Sequence, residues 1–215
     1  MKVIITGATG MVGEGVLLEC LDNPAVQQVL MVNRRPSPLR HAKLQELLIP
    51  DFRQLEPYTN SLTGYDACFF CAGISSVGMK EDRYHSITYD TTLHFAQTLA
   101  SLNPGMVFSY VSGAHTDSSE KGRLMWARVK GKTENALIQL PFRGEYNFRP
   151  GFMKPYPGQK NVKSIFRLII PIIPLFFPKA SLTMQQVGRA MINAVTKGYP
   201  KPILEISDIR KLAEG

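Results

Sequence analysis

The sequence predicts an α/β protein with a doubly wound, Rossmann-type parallel sheet covered by helices on both faces. Two observations predict this fold. The chain begins with an apolar strand that runs into a glycine-rich turn, and strand-like and helix-like segments then alternate as far as residue 149. Such alternation is typical of parallel sheets, because each crossover helix packs on a face of the sheet. We interpret residues 1–215 as one domain, in which 151–215 form a small C-terminal extension on the substrate side.

The first strand, near residues 2–6, leads into the spacing Gly7-x-x-Gly10-x-x-Gly13 and a helix near 11–21. Gly7 lets the chain turn off the strand, Gly10 allows phosphates to approach the backbone, and Gly13 lets the helix pack close to the sheet. Three glycines alone often mark only a turn, but their place after an apolar strand favours a dinucleotide pyrophosphate on the helix N-terminus. The residues predicted to line this site are Gly7, Thr9, Gly10, Met11, Val12 and Gly13.

The tip of the second strand, near residues 28–33, indicates which dinucleotide is bound. Proteins that bind NAD usually carry an acidic residue there, which accepts a hydrogen bond from the ribose 2′-hydroxyl. This chain instead has Asn33-Arg34-Arg35. Guanidinium groups suit the 2′-phosphate of NADP, because their planar donors bind phosphate oxygens in pairs. The alternative is a solvated basic loop before Pro36.

The other predicted elements follow the same alternation. Proline and glycine after Asn103 end the longest helix. The remaining strands are predicted near 44–49, 66–72, 106–111 and 146–149, and the remaining helices near 56–63, 82–102 and 122–139.

Composition and charge limit the function classes. The chain has 25 Lys and Arg against 17 Asp and Glu, a net charge of +8, which suits anionic ligands. The basic residues are dispersed, so we expect no nucleic-acid partner. The odd number of cysteines and the placement of Cys68 and Cys71 in an apolar strand indicate buried thiols, not a disulfide framework or a metal site. Met1 leads directly into the first strand without a signal peptide, so we expect a cytoplasmic protein.

The apolar segment 165–178 is shorter than a membrane span and is interrupted by three prolines. We therefore expect no transmembrane segment, and we interpret 165–178 as core packing or a wall of the substrate pocket. The alternative is an exposed patch that contacts a second copy in a homodimer or the surface of a membrane.

Beyond the glycine turn and the two arginines, Ser112 and the run Val129-Lys130-Gly131 complete a recognisable pattern. With it, the chain resembles the atypical, extended-type short-chain dehydrogenase/reductase superfamily, and within it the small Tat-interacting oxidoreductase-like proteins, which bind NADP. The resemblance extends from residue 2 to the low 150s. It implies further cofactor contacts from matching pieces at Asp51, Phe52, Cys71, Ala72, Gly73, Arg149, Pro150 and Gly151.

The resemblance also implies a catalytic arrangement. In active relatives a serine polarises the substrate carbonyl, a tyrosine transfers the proton, and a lysine four residues later lowers the tyrosine pKa and binds the nicotinamide ribose. Ser112 and Lys130 match the serine and the lysine. Trp126 stands where the tyrosine is expected, and an indole N–H has no usable acidity. No tyrosine occurs between Ser112 and Lys130, so a shifted register does not restore the phenol.

His115 is a candidate replacement, because it follows Ser112 by three residues and imidazole is the usual proton carrier near neutral pH. A solvated loop histidine is the alternative. The sequence thus leaves two hypotheses open. The first is an NADP-dependent oxidoreductase that acts on a small carbonyl substrate without the usual tyrosine. The second is a non-catalytic module that senses NADP or binds another protein.

Overall fold

The computed structural model describes residues 1–162 and 180–215, and the segment 165–178 lies outside the described residues. Strands and helices alternate along most of the described chain. The strands are β1 (Lys2–Thr6), β2 (Gln28–Asn33), β3 (Leu44–Leu48), β4 (Ala67–Phe70), β5 (Val107–Val111), β6 (Gly144–Phe148), β7 (Phe152–Lys154), β8 (Ser181–Thr183) and β9 (Ile203–Leu204). The α-helices are α1 (Met11–Asp22), α2 (Thr59–Leu62), α3 (Glu81–His85), α4 (Thr91–Leu102), α5 (Met125–Leu137), α6 (Met184–Lys197) and α7 (Ile206–Glu214).

Within these two ranges, seven parallel strands form one sheet in the order β3-β2-β1-β4-β5-β6-β9. The order reverses between β1 and β4, which is the point where open α/β sheets bind ligands at the carboxyl ends of their strands. The predicted doubly wound fold is confirmed. The C-terminal tail also contributes β9 to the sheet, a strand that the sequence analysis does not assign. The strands β7 and β8 form a separate parallel pair.

The alternation of side chains along the strands builds a separate core on each face of the sheet. On β1, Val3 and Ile5 face the core under α1, α6 and α7, whereas Ile4 faces the core under α4 and α5. All three side chains are fully buried. This two-sided burial explains why the strands read as continuous apolar runs in the sequence.

The predicted helix near 82–102 is one continuous rod that contains an irregular turn. A π-helical turn, Ser86–Asp90, joins α3 to α4, and the rod ends at Asn103. The Asn103 side chain accepts hydrogen bonds from the Gly64 and Tyr65 amides at 2.7 and 3.1 Å. In the part of the chain that the structure describes, no helix is long and apolar enough to cross a membrane.

Candidate functional site

The loops that follow β1, β2, β4, β5 and β6 meet at the carboxyl edge of the sheet, because parallel strands all end on the same side. Most of the residues proposed from the sequence lie on these loops. The exceptions are Met11, Val12 and Gly13 in the first turn of α1, Lys130 on α5 and the pair after β3. The fold therefore places the glycine turn, the arginine pair and Ser112 along one continuous edge.

The glycine turn after β1 is packed too tightly for side chains at two positions. Gly7 has a φ of +70°, in the region that favours glycine, and a Cβ there would lie 2.6 Å from the Ala72 amide nitrogen. A Cβ on Gly13 would overlap the carbonyl oxygen of Gly7. The absence of both side chains lets α1 begin directly against the end of the first strand.

Gly10 supplies the N-cap of α1 without any side chain. Its amide donates to the Gly7 carbonyl at 2.9 Å, and no side chain caps the first turn of the helix. The first N–H groups of α1 lack intrahelical partners and carry the positive end of the helix dipole. Thr9 is exposed, and Met11 and Val12 are half-buried at the start of the helix. A backbone surface of this kind suits a pyrophosphate anion.

We expect Gly13→Ala to weaken the binding of NADPH by at least about tenfold, because the added methyl group would push the first turn of α1 away from the Gly7 carbonyl. Calorimetric titration would measure the affinity. Circular dichroism and thermal melting of Gly13→Ala would show whether the variant is folded. If Gly13→Ala binds NADPH as the wild type does, the pyrophosphate does not lie on this turn.

The tip of β2 holds a buried amide next to two free guanidinium groups. Asn33 is 3% exposed, and neither its Oδ1 nor its Nδ2 has a partner in the described part of the chain. Arg34 and Arg35 are exposed and make no hydrogen bond or ion pair with the described residues. Buried polar atoms are normally paired, so the unpaired amide indicates a place where a ligand completes the bonding. Asn33 is part of the tip noted in the sequence but not one of the predicted cofactor contacts, although a polar residue that ends an apolar strand is a signal for such a contact.

The pair that follows β3 is already engaged with the protein. Arg53 binds both carboxylate oxygens of Asp51, at 2.7 to 3.2 Å, and these hydrogen bonds hold the Asp51 pKa at about 2. The ring of Phe52 packs in the core against Phe70 and Phe95. Any cofactor contact by Asp51 would therefore be shared with Arg53.

Ser112 and Lys130 are brought together, although they lie 18 residues apart. The Lys130 ammonium on α5 donates to the carbonyl oxygens of Val111 and Ser112, both at 3.2 Å, and lies over the Tyr110 ring. Burial lowers the pKa of Lys130 to about 8, and the nearby Glu134 carboxylate partly opposes this shift. Ser112 is 8% exposed at the end of β5. The structure thus places the Lys130 ammonium against the backbone of Ser112.

Trp126 lies beside this pair, one helical turn before Lys130. It is the only tryptophan of the chain, and its ring is 3.7 Å from the place of a Cβ on Gly113. The half-buried indole therefore lies against Gly113, the residue that follows Ser112. His115 is exposed, with a φ of +67°, and no protein group orients its ring in the described chain. Its role as a proton donor stays a prediction.

The segments after β4 and β6 close the rest of the edge. The Ala72 amide donates to Thr6 Oγ1 at 3.1 Å, which ties the end of β4 to β1 beside the glycine turn. Cys71 is half-buried there, and burial raises the pKa of its thiol to about 12, so it is not a reactive thiolate. Gly73 is exposed.

Arg149, which follows β6, points its guanidinium group into the protein. It binds both carboxylate oxygens of Glu134, as well as Glu205 at 3.1 Å and Ser118 at 2.6 Å. The next two residues act through their backbone. The Pro150 carbonyl accepts from Ala114 at 3.1 Å, and a Cβ on Gly151 would lie 2.5 Å from the Ala180 carbonyl oxygen. These bonds occupy four of the five N–H donors of Arg149, so a cofactor contact from this segment would come chiefly from its backbone.

Comparison with known proteins identifies the family to which the chain belongs. The model of the NAD dependent epimerase/dehydratase family matches residues 3–120. Among curated proteins, Protein HTATIP2 from Rattus norvegicus is 27% identical over 154 residues, which cover 71% of this chain and 62% of that protein. Protein fmp52, mitochondrial, from Emericella nidulans is 27% identical over 159 residues, which cover 71% and 66%. The matches thus span less than two thirds of the length of these two relatives.

Solved structures share the fold at low identity. MoeE5, solved in complex with UDP-glucuronic acid and NAD, superposes with a TM-score of 0.69 at 17% identity, and covers 94% of this chain and 74% of that one. The Bordetella bronchiseptica enzyme WbmF, solved in complex with NAD+, gives a TM-score of 0.68 at 17% identity, with coverage of 99% and 76%. These likenesses confirm the Rossmann-type fold, and the curated relatives confirm the resemblance stated from the sequence.

Proposed function

Because the chain belongs to the NAD dependent epimerase/dehydratase family, we propose that it binds NADP and acts as an oxidoreductase on a small substrate beside Ser112. The observation that carries this proposal is the contact between Lys130 and the Ser112 carbonyl, 3.2 Å, at the carboxyl end of β5. The site retains two of the three groups that the resemblance implies and positions them at the edge that holds the glycine turn.

Each part of the site has a separate role in the proposed reaction. The glycine turn binds the pyrophosphate, and Lys130 has an N–H left over from its two carbonyl contacts to offer the nicotinamide ribose. Ser112 orients the substrate oxygen, and Trp126 shields the site from water on the side of α5. Bound NADP would supply or accept the hydride. His115 or water is the proposed proton carrier.

The preference for NADP rests on the tip of β2. Arg34 and Arg35 have no partners in the described chain, and no acidic residue stands beside them to bind a ribose 2′-hydroxyl. Asn33 adds an unpaired buried amide at the same tip. A 2′-phosphate would provide acceptors for these donors. MoeE5 and WbmF were solved with NAD and NAD+, and their identity to this chain is too low to transfer that preference.

We expect NADPH to bind more tightly than NADH by about 1–3 kcal/mol, which is the range for charge-assisted hydrogen bonds. The chain offers a convenient probe, because Trp126 is its only tryptophan and lies at the site. Reduced nicotinamide absorbs where indole emits, so binding should quench the emission of Trp126 by energy transfer. Titrations with NADPH and NADH would give both affinities.

Replacing Arg34 and Arg35 with alanine should remove most of the NADPH preference while leaving the affinity for NADH almost unchanged. Arg83→Ala is the matched control, because this arginine is also exposed but lies on α3, away from β2. Equal affinity of the wild type for the two cofactors, or tighter binding of NADH, would contradict the proposed preference.

A second candidate function is a non-catalytic module that senses NADP or binds another protein. It is favoured by one observation, the indole of Trp126 one turn before Lys130, where no acidic hydrogen is available. Turnover separates the two candidates. A panel of aldehydes and ketones with NADPH, and of the matching alcohols with NADP, should give measurable turnover for the oxidoreductase and none for the sensor.

The remaining expectations stay predictions. They are the small-molecule substrate, the cytoplasmic location and the single domain with its extension at 151–215. Segment 165–178 also stays a prediction, as core packing or a wall of the substrate pocket, with a homodimer or membrane contact as the alternative. The name of fmp52 assigns that relative to the mitochondrion.

A further inference from the structure

Thr116 forms a hydrogen-bonded chain with Ser112 that the proposed reaction does not use. The two hydroxyl oxygens, Ser112 Oγ and Thr116 Oγ1, are 2.8 Å apart. Thr116 Oγ1 also lies 2.8 Å from the carbonyl oxygen of Gly113 and donates to it. Both side chains are buried, at 8% and 6% exposure, so water does not compete freely for these bonds.

The direction of these two hydrogen bonds follows from counting the hydrogens. A carbonyl oxygen carries none, so the hydrogen between Thr116 and Gly113 is the hydroxyl hydrogen of Thr116. A threonine hydroxyl has only one hydrogen, so the one between Thr116 and Ser112 belongs to Ser112. The reverse arrangement would place two lone-pair-bearing oxygens 2.8 Å apart with no hydrogen between them, which is repulsive.

This direction determines what Ser112 offers to a ligand. Its hydrogen is directed at Thr116, so its oxygen presents only lone pairs to the substrate space. The oxygen of a ketone or aldehyde also presents only lone pairs and finds no donor on Ser112. The oxygen of an alcohol carries a hydrogen, which it can donate to Ser112 without disturbing the hydrogen bond from Ser112 to Thr116.

We infer that Thr116 is a positioning residue that sets Ser112 as a hydrogen-bond acceptor, so that the site binds the hydroxyl of an alcohol in preference to a carbonyl group. This inference rests on the proposed function, since it names the substrate class of the same site. To bind a carbonyl through Ser112, the protein must turn the serine hydrogen away from Thr116 and leave a buried hydroxyl contact unsatisfied.

A matched pair of probes tests the preference without requiring turnover. Cyclohexanol and cyclohexanone have almost the same size and differ in the hydrogen on their oxygen. Ligand-observed NMR titrations of the wild type, with and without saturating NADP, should show tighter binding of cyclohexanol by about threefold to tenfold, the value of one hydrogen bond. Thr116→Val should reduce this ratio towards one, because the Ser112 hydrogen is released. Thr116→Ser should retain it, because the hydroxyl chain is preserved.

The results separate this inference from the proposed function. Equal affinity for the two probes, including no binding of either, would overturn the inference, as would a preference that survives in Thr116→Val. Thermal melting of both variants shows whether they are folded. NADPH titration of the same samples tests the proposed function, so a protein that binds NADPH without preferring the alcohol refutes only the role of Thr116.

Discussion

Arg149→Ala is expected to destabilise the protein by about 3–5 kcal/mol, the cost of removing one partner from a buried ion pair. Glu134 on α5 is 0% exposed, and Arg149 binds both of its carboxylate oxygens. Without the guanidinium, this buried carboxylate would lose the cation to which it is hydrogen-bonded. Arg149 also binds Ser118 and Glu205, so its loss loosens the contacts of β6 with α5 and with the N-terminus of α7.

Urea-induced unfolding, followed by circular dichroism, would measure the loss. Arg53→Ala is the matched control, because Arg53 binds Asp51 through both carboxylate oxygens but its side chain is 61% exposed, and such surface pairs contribute little to stability. Adding Glu134→Gln to Arg149→Ala should recover part of the stability, because the stranded charge is removed. A loss below about 1 kcal/mol for Arg149→Ala would contradict the structural role.

The local parts of the fold could be predicted from the sequence, because their signals lie within a few residues of one another. The turn from Gly7 to Gly13 identifies the first strand and helix together, and the observed bounds of β1 and β2 agree with the predicted ones. The stop after Asn103 likewise ends the long helix where proline and glycine require it. Ser112 and Lys130 were named through the resemblance, and the structure brings the Lys130 ammonium to the Ser112 carbonyl.

Features that depend on contacts between distant residues could not be predicted. The buried pair of Arg149 and Glu134 joins a strand end to a helix, and nothing in the local sequence of either residue indicates its partner. The strand β9 is only two residues long and acquires its place by pairing with β6. The bond between Ser112 and Thr116 depends on the path of a loop that turns through positive φ at His115.

The resemblance leads us to expect a tyrosine phenol at position 126, and its contribution to the rate can be tested by introducing it there. Trp126→Tyr should raise the rate of carbonyl reduction with NADPH by about 10²–10⁴-fold, the usual contribution of general acid catalysis. The new phenol would stand one helical turn before Lys130, on the same face of α5, where the ammonium stabilises phenolate as the proton leaves. The rate would be measured on a panel of aldehydes and ketones.

Two controls define the origin of any gain. Trp126→Phe removes the indole without adding an acid, and should stay as slow as the wild type. In the Trp126→Tyr protein, Lys130→Met should abolish the gain, because no cation remains to stabilise phenolate. Burial lowers the pKa of Lys130 to about 8, so the restored rate should fall as the pH rises through about 8 and the ammonium loses its proton. Equal rates for Trp126→Tyr and Trp126→Phe would mean that the missing phenol does not limit reduction, and the reaction would then depend on another proton carrier such as His115.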